Sequence, residues 1–455
     1  MRKEIIVLGA GPGGYIAAIK AAKLGAKVKL IEQDEVGGTC LNRGCIPTKA
    51  LLHVLSLYDE AKRGEGMGLE VQGLKINFKK LYAYKDEVVK RLRQGIHFLL
   101  EENNIELVKG KGYLTRPGEI RVGDNKYEAQ ALILATGSRP FRPSSFSFDN
   151  KYIFTSDEIL SLEEVPSSML IIGAGAIGLE FATIFSSLGT KVVLIEMLPQ
   201  IIPSEDEEIA ALLAKELSKK GIIIKTRTKV TDMTIQEGKV KIRVSSGEEV
   251  TVEKVLVAVG RSLNLENLGL EGLGLKTENG KISVNNYLET NIPGVFAIGD
   301  ITAGPLLAHK ASSQAIIAAA NACGEREEFL MGDIIPSCIY TSPEVARVGL
   351  TEKEARAKGY QIKVGKFPFR NLGKAQAISQ VEGLTKVIAD SETGEILGVH
   401  IIGPAATELI SEVSLAKRME ATYQDIATTC HPHPTLSEVL MEACHAVNGQ
   451  AIHLP

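Results

Sequence analysis

The chain has 455 residues and a nearly balanced charge, with 52 Lys and Arg against 55 Asp and Glu and a formal net charge of −3. That length exceeds one ordinary domain and suits about three. A balanced charge provides no overall field to attract nucleic acid or an anionic membrane surface, and no segment approaches the roughly 18 consecutive apolar residues of a membrane helix. We therefore expect neither nucleic acid nor a membrane as a partner.

The N-terminal stretch MRKEIIVLGAGPGG runs from an apolar segment into a glycine loop and lacks the small-residue cleavage site of a signal peptide. Six cysteines in 455 residues are too dilute for the disulfide framework of a secreted protein. We therefore expect a cytoplasmic protein, in which a close pair of cysteines indicates catalysis or metal binding more often than a structural disulfide.

The most informative feature is an internal repeat. Residues 7–32 align without gaps on residues 171–196, with 12 identities in 26 positions. Each copy predicts a strand, a Gly-x-Gly-x-x-Gly loop, a helix and a second strand that ends in a glutamate, Glu32 or Glu196. In this pattern the first glycine makes a tight turn, the second lets the backbone approach a pyrophosphate, and the third lets the helix pack on the strand. Two complete copies predict two bound dinucleotides.

The glutamates also indicate which dinucleotide binds the second repeat. An acidic residue at this place can hydrogen-bond the ribose hydroxyls. A site for NADP usually has an arginine where this chain has Glu196 and Met197, and a carboxylate there repels the 2′-phosphate. We therefore predict NAD.

The other segments predict short strands and a different C-terminal module. Residues 131–140 and 255–264 each indicate a buried strand followed by a turn, and another short strand ends at Asp300. For Asp300 a helix cap and a ligand contact are both open. Near the C-terminus, residues 385–403 predict two strands around a turn and residues 404–421 predict a helix, an α+β pattern rather than a third nucleotide fold.

A cysteine pair follows the first glycine loop. Residues 37–49, GGTCLNRGCIPTK, place Cys40 and Cys45 five positions apart. The pair could be a redox disulfide, a metal clip or two unrelated buried thiols. An ideal helix separates such positions too far for a disulfide, although Gly44 gives the backbone freedom to tighten the turn. A zinc site would need a second pair of ligands, which weakens the metal interpretation. Lys49 could lie on the helical face of Cys45 or in solvent.

Six motifs together carry a resemblance to a known family: GAGPGG (9–14), GGTCLNRGCIPTK (37–49), ATGS (135–138), GAGAIGLE (173–180), AIGD (297–300) and HPHPTLSE (431–438). Over essentially its full length the chain resembles the flavoprotein disulfide reductases, most of all those that oxidise dihydrolipoamide. The resemblance implies an α/β fold with two Rossmann-like dinucleotide-binding domains and a C-terminal α+β dimerisation domain. The implied domains are FAD-binding (1–147), NAD-binding (148–266), central, completing the FAD site (267–333), and dimerisation (334–455).

The resemblance also implies which residues contact the two cofactors. The expected FAD contacts are Gly9, Gly11, Gly14, Glu32, Lys49, Gly112, Asp300 and Ala308. The expected contacts on the NAD side are Gly173, Gly175, Gly178, Glu180, Glu196, Val230 and Gly260. Lys49 and Glu180 occupy positions that the family pairs, so we expect a buried ion pair between them.

The catalytic roles follow from the same resemblance. Cys40 is expected to exchange with the substrate and Cys45 to face the flavin, while His433 acts as the base and Glu438 orients it. Electrons would pass from dihydrolipoamide to the disulfide, to FAD and as hydride to NAD⁺. The family's histidine reaches the cysteines of the other subunit, which implies a homodimer. The expected partner is a lipoyl-carrier protein of a 2-oxo-acid dehydrogenase or glycine-cleavage complex.

Other interpretations stay open at this point. The chain could be a glutathione- or mercuric-reductase-like enzyme, although Glu196 opposes the NADP of the former. It could also be a non-catalytic FAD-binding assembly subunit, which the presence of both cysteines and His433 disfavours. Arg43, where the family more often has valine, could lower a thiol pKa or point to solvent, and we favour solvent. The remaining cysteines are assigned to packing: Cys323, Cys338, Cys430 and Cys444.

Overall fold

The computed structural model describes residues 3–330, 332 and 334–455. The first two residues of the predicted FAD-binding domain and the predicted boundary after residue 333 lie outside the described residues. The chain divides into two compact units. The first unit contains residues 1–51, 77–141 and 260–330, and the second contains residues 52–76, 142–259 and 331–455. The four-domain division predicted above stays a prediction.

The strands, in chain order, are β1 (Glu4–Leu8), β2 (Lys27–Glu32), β3 (Glu106–Lys109), β4 (Gly112–Arg116), β5 (Glu119–Val122), β6 (Asn125–Glu128), β7 (Ala131–Leu134), β8 (Ser138–Pro140), β9 (Ile153–Phe154), β10 (Ser168–Ile172), β11 (Lys191–Ile195), β12 (Ile223–Lys225), β13 (Val230–Gln236), β14 (Lys239–Val244), β15 (Glu249–Val252), β16 (Lys254–Val257), β17 (Arg261–Leu263), β18 (Thr277–Glu278), β19 (Lys281–Ile282), β20 (Val295–Ala297), β21 (Ser337–Ile339), β22 (Glu344–Gly349), β23 (Ile362–Pro368), β24 (Leu384–Asp390) and β25 (Ile396–Gly403). The α-helices are α1 (Pro12–Lys23), α2 (Gly38–Arg43), α3 (Cys45–Gly64), α4 (Phe78–Glu102), α5 (Ala176–Ser187), α6 (Glu207–Lys219), α7 (Ala308–Cys323), α8 (Glu352–Ala357), α9 (Gly373–Ala377), α10 (Ala406–Arg418), α11 (Tyr423–Thr428) and α12 (Glu438–Ala446). In the described part of the chain, none of these helices is long and apolar enough to cross a membrane.

The first unit is built on a parallel five-stranded sheet in the order β20-β7-β1-β2-β3. Its central strands are continuous apolar runs, which is typical of parallel strands that are covered on both faces. On one face α1 packs against α7, and the alanines that line this contact allow the two helices to approach closely. The antiparallel sheet β4-β5-β6 contributes Leu114 and Ile120 to the core on the other face.

The second unit repeats this design with a parallel sheet in the order β12-β11-β10-β16-β9. The strand, helix and strand of the second repeat are β10, α5 and β11, as the sequence predicts. Most of α5 is buried, and its buried residues are mainly apolar, with Glu180 and Thr183 as the polar exceptions. A three-stranded antiparallel sheet, β13-β14-β15, adds Val240 and Ile242 to the same core.

The C-terminal part of the second unit is an antiparallel sheet in the order β21-β22-β25-β24-β23, with α10 and α12 among the helices that pack against it. The two strands predicted for residues 385–403 are β24 and β25, and the helix predicted for 404–421 is α10. This α+β module and the two parallel sheets confirm the predicted fold class.

A row of basic side chains crosses this antiparallel sheet. His400 on β25 lies opposite Arg347 on one neighbouring strand and Lys386 on the other. Burial lowers the pKa of His400 to about 4, so this side chain is neutral between its two cationic neighbours. Asp206, which caps α6, lies 3.0 Å from the Lys386 ammonium, and both side chains are 4% exposed. The pair ties the start of α6 to the sheet.

Candidate redox and dinucleotide sites

The first glycine loop forms a tight turn at the start of α1. Gly9 has φ +98°, and Gly11 is the N-cap of the helix, so free backbone N–H groups face the space beyond it. A Cβ on Gly14 would lie 1.7 Å from the Gly9 carbonyl oxygen, which explains why only glycine fits there. This is the close helix-to-strand packing that the motif predicts.

Glu32 lies at the end of β2 beside this loop. Its carboxylate accepts hydrogen bonds from the Ala10 N–H at 2.6 Å and the Asp34 N–H at 2.8 Å. Burial raises the pKa of Glu32 above its ordinary value, although the Ala10 N–H opposes that rise. The acid is therefore held by the backbone next to the first glycine loop, and its predicted contact with a ribose stays a prediction.

The second glycine loop has the same geometry. Gly173 has φ +101°, and a Cβ on Gly178 would lie 1.9 Å from the Gly173 oxygen. Glu196 accepts the N–H groups of Ala174 and Leu198, each at 2.9 Å. The repeat seen in the sequence is thus also a repeat of the local geometry.

The middle glycine of each loop marks the space that a ligand would fill. An ideal Cβ on Gly11 or on Gly175 meets no protein atom within 4 Å. The protein itself therefore leaves room for a side chain at both positions. Glycine at these positions keeps that space free for a ligand that approaches the backbone closely. The residues present at both turns suit a dinucleotide pyrophosphate.

The cysteine pair lies at a break between two helices. Cys40 belongs to α2, Gly44 leaves helical geometry at φ −143° and ψ −111°, and Cys45 begins α3. A single continuous helix would hold two residues five positions apart too far from each other for a disulfide. The break removes this constraint on Cys40 and Cys45. Lys49 lies one turn after Cys45 on α3.

The structure holds the pair as two thiols in contact. The hydrogen bond to the Cys45 side chain is the main cause that raises the pKa of Cys40, and burial is the next largest. The positive charge of Lys49 opposes this rise. Two side chains that hydrogen-bond to each other are not unrelated buried thiols. Across the described residues, no group of three or more His, Cys, Asp or Glu is arranged to hold a metal ion. The contact between the two cysteine side chains is the arrangement that the redox interpretation requires.

Asp300 is held by a relay of side chains that the sequence does not reveal. It lies in a 3₁₀ turn, Gly299–Ile301, and accepts a hydrogen bond from the Ser138 hydroxyl. The Arg261 Nε in turn donates to Ser138 Oγ at 2.7 Å, and its Nη2 donates to the Ser138 carbonyl at 2.8 Å. The two strand-and-turn segments noted in the sequence supply Ser138 and Arg261, which meet because β8 pairs with β17.

The remaining predicted cofactor contacts lie at the ends of elements or on buried helices. Gly112 begins β4, and Ala308 begins α7. Val230 begins β13, and Gly260 follows β16 with φ +130°. Glu180 is buried on α5 and accepts the Tyr340 N–H at 3.2 Å. Its pairing with Lys49 stays a prediction.

His433 and Glu438 form the predicted dyad. The His433 Nδ1 lies 2.8 Å from Glu438 Oε1, and the Thr435 N–H donates to Glu438 Oε2 at 2.8 Å. Burial raises the pKa of Glu438, but the hydrogen bonds from Thr435 and His433 outweigh it and the net shift is downward. The His433 side chain is 75% exposed, so its ring is oriented by the carboxylate and open to another surface.

Arg43 lies in the last turn of α2 and pairs with Asp34, and its side chain is 38% exposed. The solvent-facing interpretation of Arg43 stays a prediction. One expectation about a single residue needs correction. Cys430 is exposed and does not pack in a core, because it lies in the segment that follows α11. Cys444 is fully buried, and Cys323 and Cys338 are partly buried against cores, as predicted.

Fold and site together define a protein with two dinucleotide-binding turns, a dithiol at a helix break and a histidine–glutamate dyad on an α+β domain. The chain matches the pyridine nucleotide-disulphide oxidoreductase family over residues 3–315 and the dimerisation domain of that family over residues 335–444. It belongs to this family.

Similar proteins match this chain over nearly its full length. A dihydrolipoyl dehydrogenase of Thermus scotoductus is 48% identical over 99% of this chain and 98% of that protein. One of Bacillus subtilis is 42% identical over 99% of both. Among solved structures, LpdA from Mycobacterium tuberculosis is similar with a TM-score of 0.90 and 25% identity, covering 97% of this chain and 99% of that one. The Cu(II) complex of the HOCl-induced flavoprotein disulfide reductase RclA from Escherichia coli gives a TM-score of 0.88 at 27% identity, covering 98% and 99%.

Proposed function

We propose that this protein is a dihydrolipoyl dehydrogenase that oxidises dihydrolipoamide to lipoamide and reduces NAD⁺. The observation that carries the proposal is the contact between Cys40 and Cys45 across the helix break that follows the first dinucleotide-binding turn. The relatives named dihydrolipoyl dehydrogenase, at 48% and 42% identity over nearly the full length, support the choice of substrate.

Thiol–disulfide exchange accounts for the role of each cysteine. With the pair oxidised, a thiolate of dihydrolipoamide attacks the Cys40 sulfur, and Cys45 leaves as a thiolate. The second substrate thiol, once deprotonated, attacks the substrate sulfur of this mixed disulfide. Lipoamide is released with its own disulfide, and Cys40 is released as a thiolate. Two electrons have then moved from the substrate to the pair, and Lys49 on the same helix contributes positive charge that favours a thiolate.

The His433–Glu438 dyad supplies the base. A neutral imidazole takes the proton of the attacking substrate thiol, and the carboxylate orients the ring and stabilises the imidazolium that forms. Thr435 fixes the carboxylate from the other side. In the proposed homodimer, His433 of one subunit serves the cysteine pair of the other, which accounts for its exposed ring.

Both dinucleotide-binding turns have assigned cofactors in this proposal. FAD binds the first turn with Gly9, Gly11, Gly14 and Glu32, and NAD binds the second with Gly173, Gly175, Gly178 and Glu196. Bound FAD supplies the electron relay between the dithiol and NAD⁺. NAD is preferred to NADP because Glu196, the acid that ends the second repeat and is held beside its glycine loop, would repel a 2′-phosphate.

The substrate is proposed to arrive on a lipoyl-carrier protein of a 2-oxo-acid dehydrogenase or glycine-cleavage complex, in the cytoplasm. The Lys49–Glu180 ion pair belongs to the same proposal, with Glu180 held in place by the Tyr340 N–H.

A stopped-flow experiment tests the function. The purified yellow protein is mixed with dihydrolipoamide and then with NAD⁺, and the expected result is a long-wavelength thiolate-to-flavin absorbance followed by NADH. Cys45→Ser should abolish both signals, whereas Cys430→Ser, which changes an exposed cysteine outside the site, should keep them. NADPH oxidation coupled to glutathione disulfide, with no reaction of dihydrolipoamide, would refute the proposal.

A further inference from the structure

Lys310 is a buried cation in an unfavourable place. It is the third residue of α7 and is 2% exposed. The partial positive charge of a helix N-terminus disfavours a cation in the first turn, and burial of an ammonium group is costly unless it is hydrogen-bonded. Its Nζ donates to the Ala303 carbonyl at 2.7 Å and approaches the Thr302 carbonyl at 3.5 Å. A position with two such penalties calls for a reason beyond packing.

The carbonyls that Lys310 holds belong to the loop that presents Asp300. Gln314, one turn further along α7, accepts the N–H of Gly299 at 2.8 Å. Helix α7 therefore holds the loop at two points, at Gly299 through the amide and at Ala303 through the ammonium. Asp300 lies between them.

Two charged groups face the Lys310 ammonium, Lys281 and Asp300. Burial, together with the positive charge of Lys281, lowers the pKa of Lys310 to about 8, and the negative charge of Asp300 limits that fall. Lys281 itself donates to the Gly304 carbonyl at 2.8 Å, at the end of the same loop.

We propose that Lys310 is a positioning residue for FAD, whose ammonium fixes the loop from Gly299 to Gly304 so that Asp300 meets the ribityl chain in one geometry. The inference rests on the proposed function only in taking FAD as the dinucleotide of the first turn. Lys310 touches the loop and acts through Asp300.

The test measures FAD binding to the apoprotein by flavin fluorescence between pH 6.5 and 9.5, with urea unfolding of the apoprotein alongside. Lys310→Met should raise the FAD Kd by about tenfold to a hundredfold, the range for losing a hydrogen bond to a charged group. Ser313→Ala, on the same helix, is the control and should bind FAD as the wild type does.

The pH profile separates positioning from a structural role. In the wild type the FAD Kd should rise as pH increases through the pKa of Lys310, because the neutral amine holds the carbonyls less strongly and no longer balances Asp300. In Lys310→Met this part of the profile should be flat. A lower apoprotein stability with unchanged FAD Kd and an unchanged pH profile would overturn the inference.

Two further outcomes keep the inference separate from the proposed function. If Lys310→Met does not fold, Lys310→Gln, which keeps a donor without the charge, carries the same test of the pH profile. Failure of the wild-type chain to bind FAD would refute the proposed function. Binding by the wild type with equal binding by the Lys310 variants would refute only the inference.

Discussion

At the scale of single residues, the two glutamates at the strand ends behave alike although 164 positions separate them. Glu32 and Glu196 each accept two backbone N–H groups, one from the glycine loop and one from the residue two positions on. Backbone donors hold both carboxylates in place, so a short motif is sufficient to specify them. This explains why both could be predicted from the repeat.

His433 gives the first testable prediction. His433→Gln should lower the rate of dihydrolipoamide oxidation by about 10²–10⁴-fold, the usual contribution of a general base. The transfer of electrons from NADH to an artificial dye should persist, because it requires no base for the substrate thiol. The measurement compares the two steady-state rates for the same preparation.

The matched control is His453→Gln. His453 is exposed, and its Nδ1 lies 2.6 Å from Oε1 of Glu442 on α12. The variant therefore removes a similar histidine–glutamate contact outside the site. Its two rates should equal those of the wild type. An equal loss of both activities in His433→Gln would indicate a damaged protein and contradict the role.

Glu205 gives a prediction about pH. Its side chain is 2% exposed with the Arg347 Nε at 3.2 Å, and burial raises the pKa of Glu205 from 4.5 to about 7. Because the folded pKa exceeds the unfolded one, its contribution to stability is complete below pH 4.5 and is lost as pH rises through 7. The loss is about 3 kcal/mol at 1.36 kcal/mol for each pKa unit.

Glu205→Gln should therefore flatten the change in the free energy of unfolding between pH 5 and 8, measured by urea unfolding. Glu207→Gln, at an exposed position two residues further on, should keep the wild-type slope. The same slope in the Glu205 variant and the wild type would show that Glu205 does not titrate in this range.

At the scale of elements, the interruption between α2 and α3 brings the two cysteines together. Gly44 has a conformation outside the helical region, and a Cβ there would lie 3.0 Å from the Thr39 carbonyl oxygen. The sequence indicated that Gly44 could let the backbone turn tighten between the two cysteines. The direction of α3 after this turn depends on packing, which residue spacing alone does not determine.

The two glycines of the second loop should respond differently to alanine. Gly178→Ala places a Cβ 1.9 Å from a backbone oxygen and should lower the free energy of unfolding by about 1–3 kcal/mol or more. Gly175→Ala meets no protein atom within 4 Å and should leave stability unchanged. It should nevertheless raise the Kd for NAD⁺ by about tenfold or more, equivalent to 1.4 kcal/mol, because the methyl group occupies the space for the pyrophosphate.

Urea unfolding and NAD⁺ titration of the two variants check this prediction. The corresponding change at the first loop, Gly11→Ala, is the internal comparison and should leave NAD⁺ binding unaffected. Normal NAD⁺ affinity in Gly175→Ala would mean that the pyrophosphate binds elsewhere.

At the scale of the whole molecule, the chain carries a dimerisation domain and a mass of 49.0 kDa per subunit. The prediction that active sites form between subunits is tested by co-expressing Cys45→Ser with His433→Gln. Half of randomly formed dimers are mixed, and each mixed dimer holds one intact site of two, so activity should return to about a quarter of the wild-type value. Each variant alone should be nearly inactive.

NADH formation by the purified mixture is the measurement, with light scattering to verify a mass near twice that of one chain. Mixing the two variants after purification, under conditions without subunit exchange, is the control and should restore nothing. A mixed preparation no more active than its parents would place the complete site within one subunit.

The sequence by itself determined the parts of this protein that depend on local geometry. The glycine loops and the acids that follow them lie within adjacent elements, where residue spacing and backbone conformation specify the arrangement. The matching strands and helices were predicted for the same reason, including β24, β25 and α10. For the cysteine pair and the His433–Glu438 dyad, spacing left alternatives open, and the family resemblance supplied the prediction.

Only the tertiary structure decided which distant residues support the site. Asp300 joins Ser138 and Arg261 because β20 enters the first sheet beside β7 and because β8 pairs with β17. Strand order across such sequence separations depends on how the whole core packs, and no local pattern encodes it. Lys310 became noticeable for the same reason, since a lysine in a helix gives no sign of burial until the fold surrounds it.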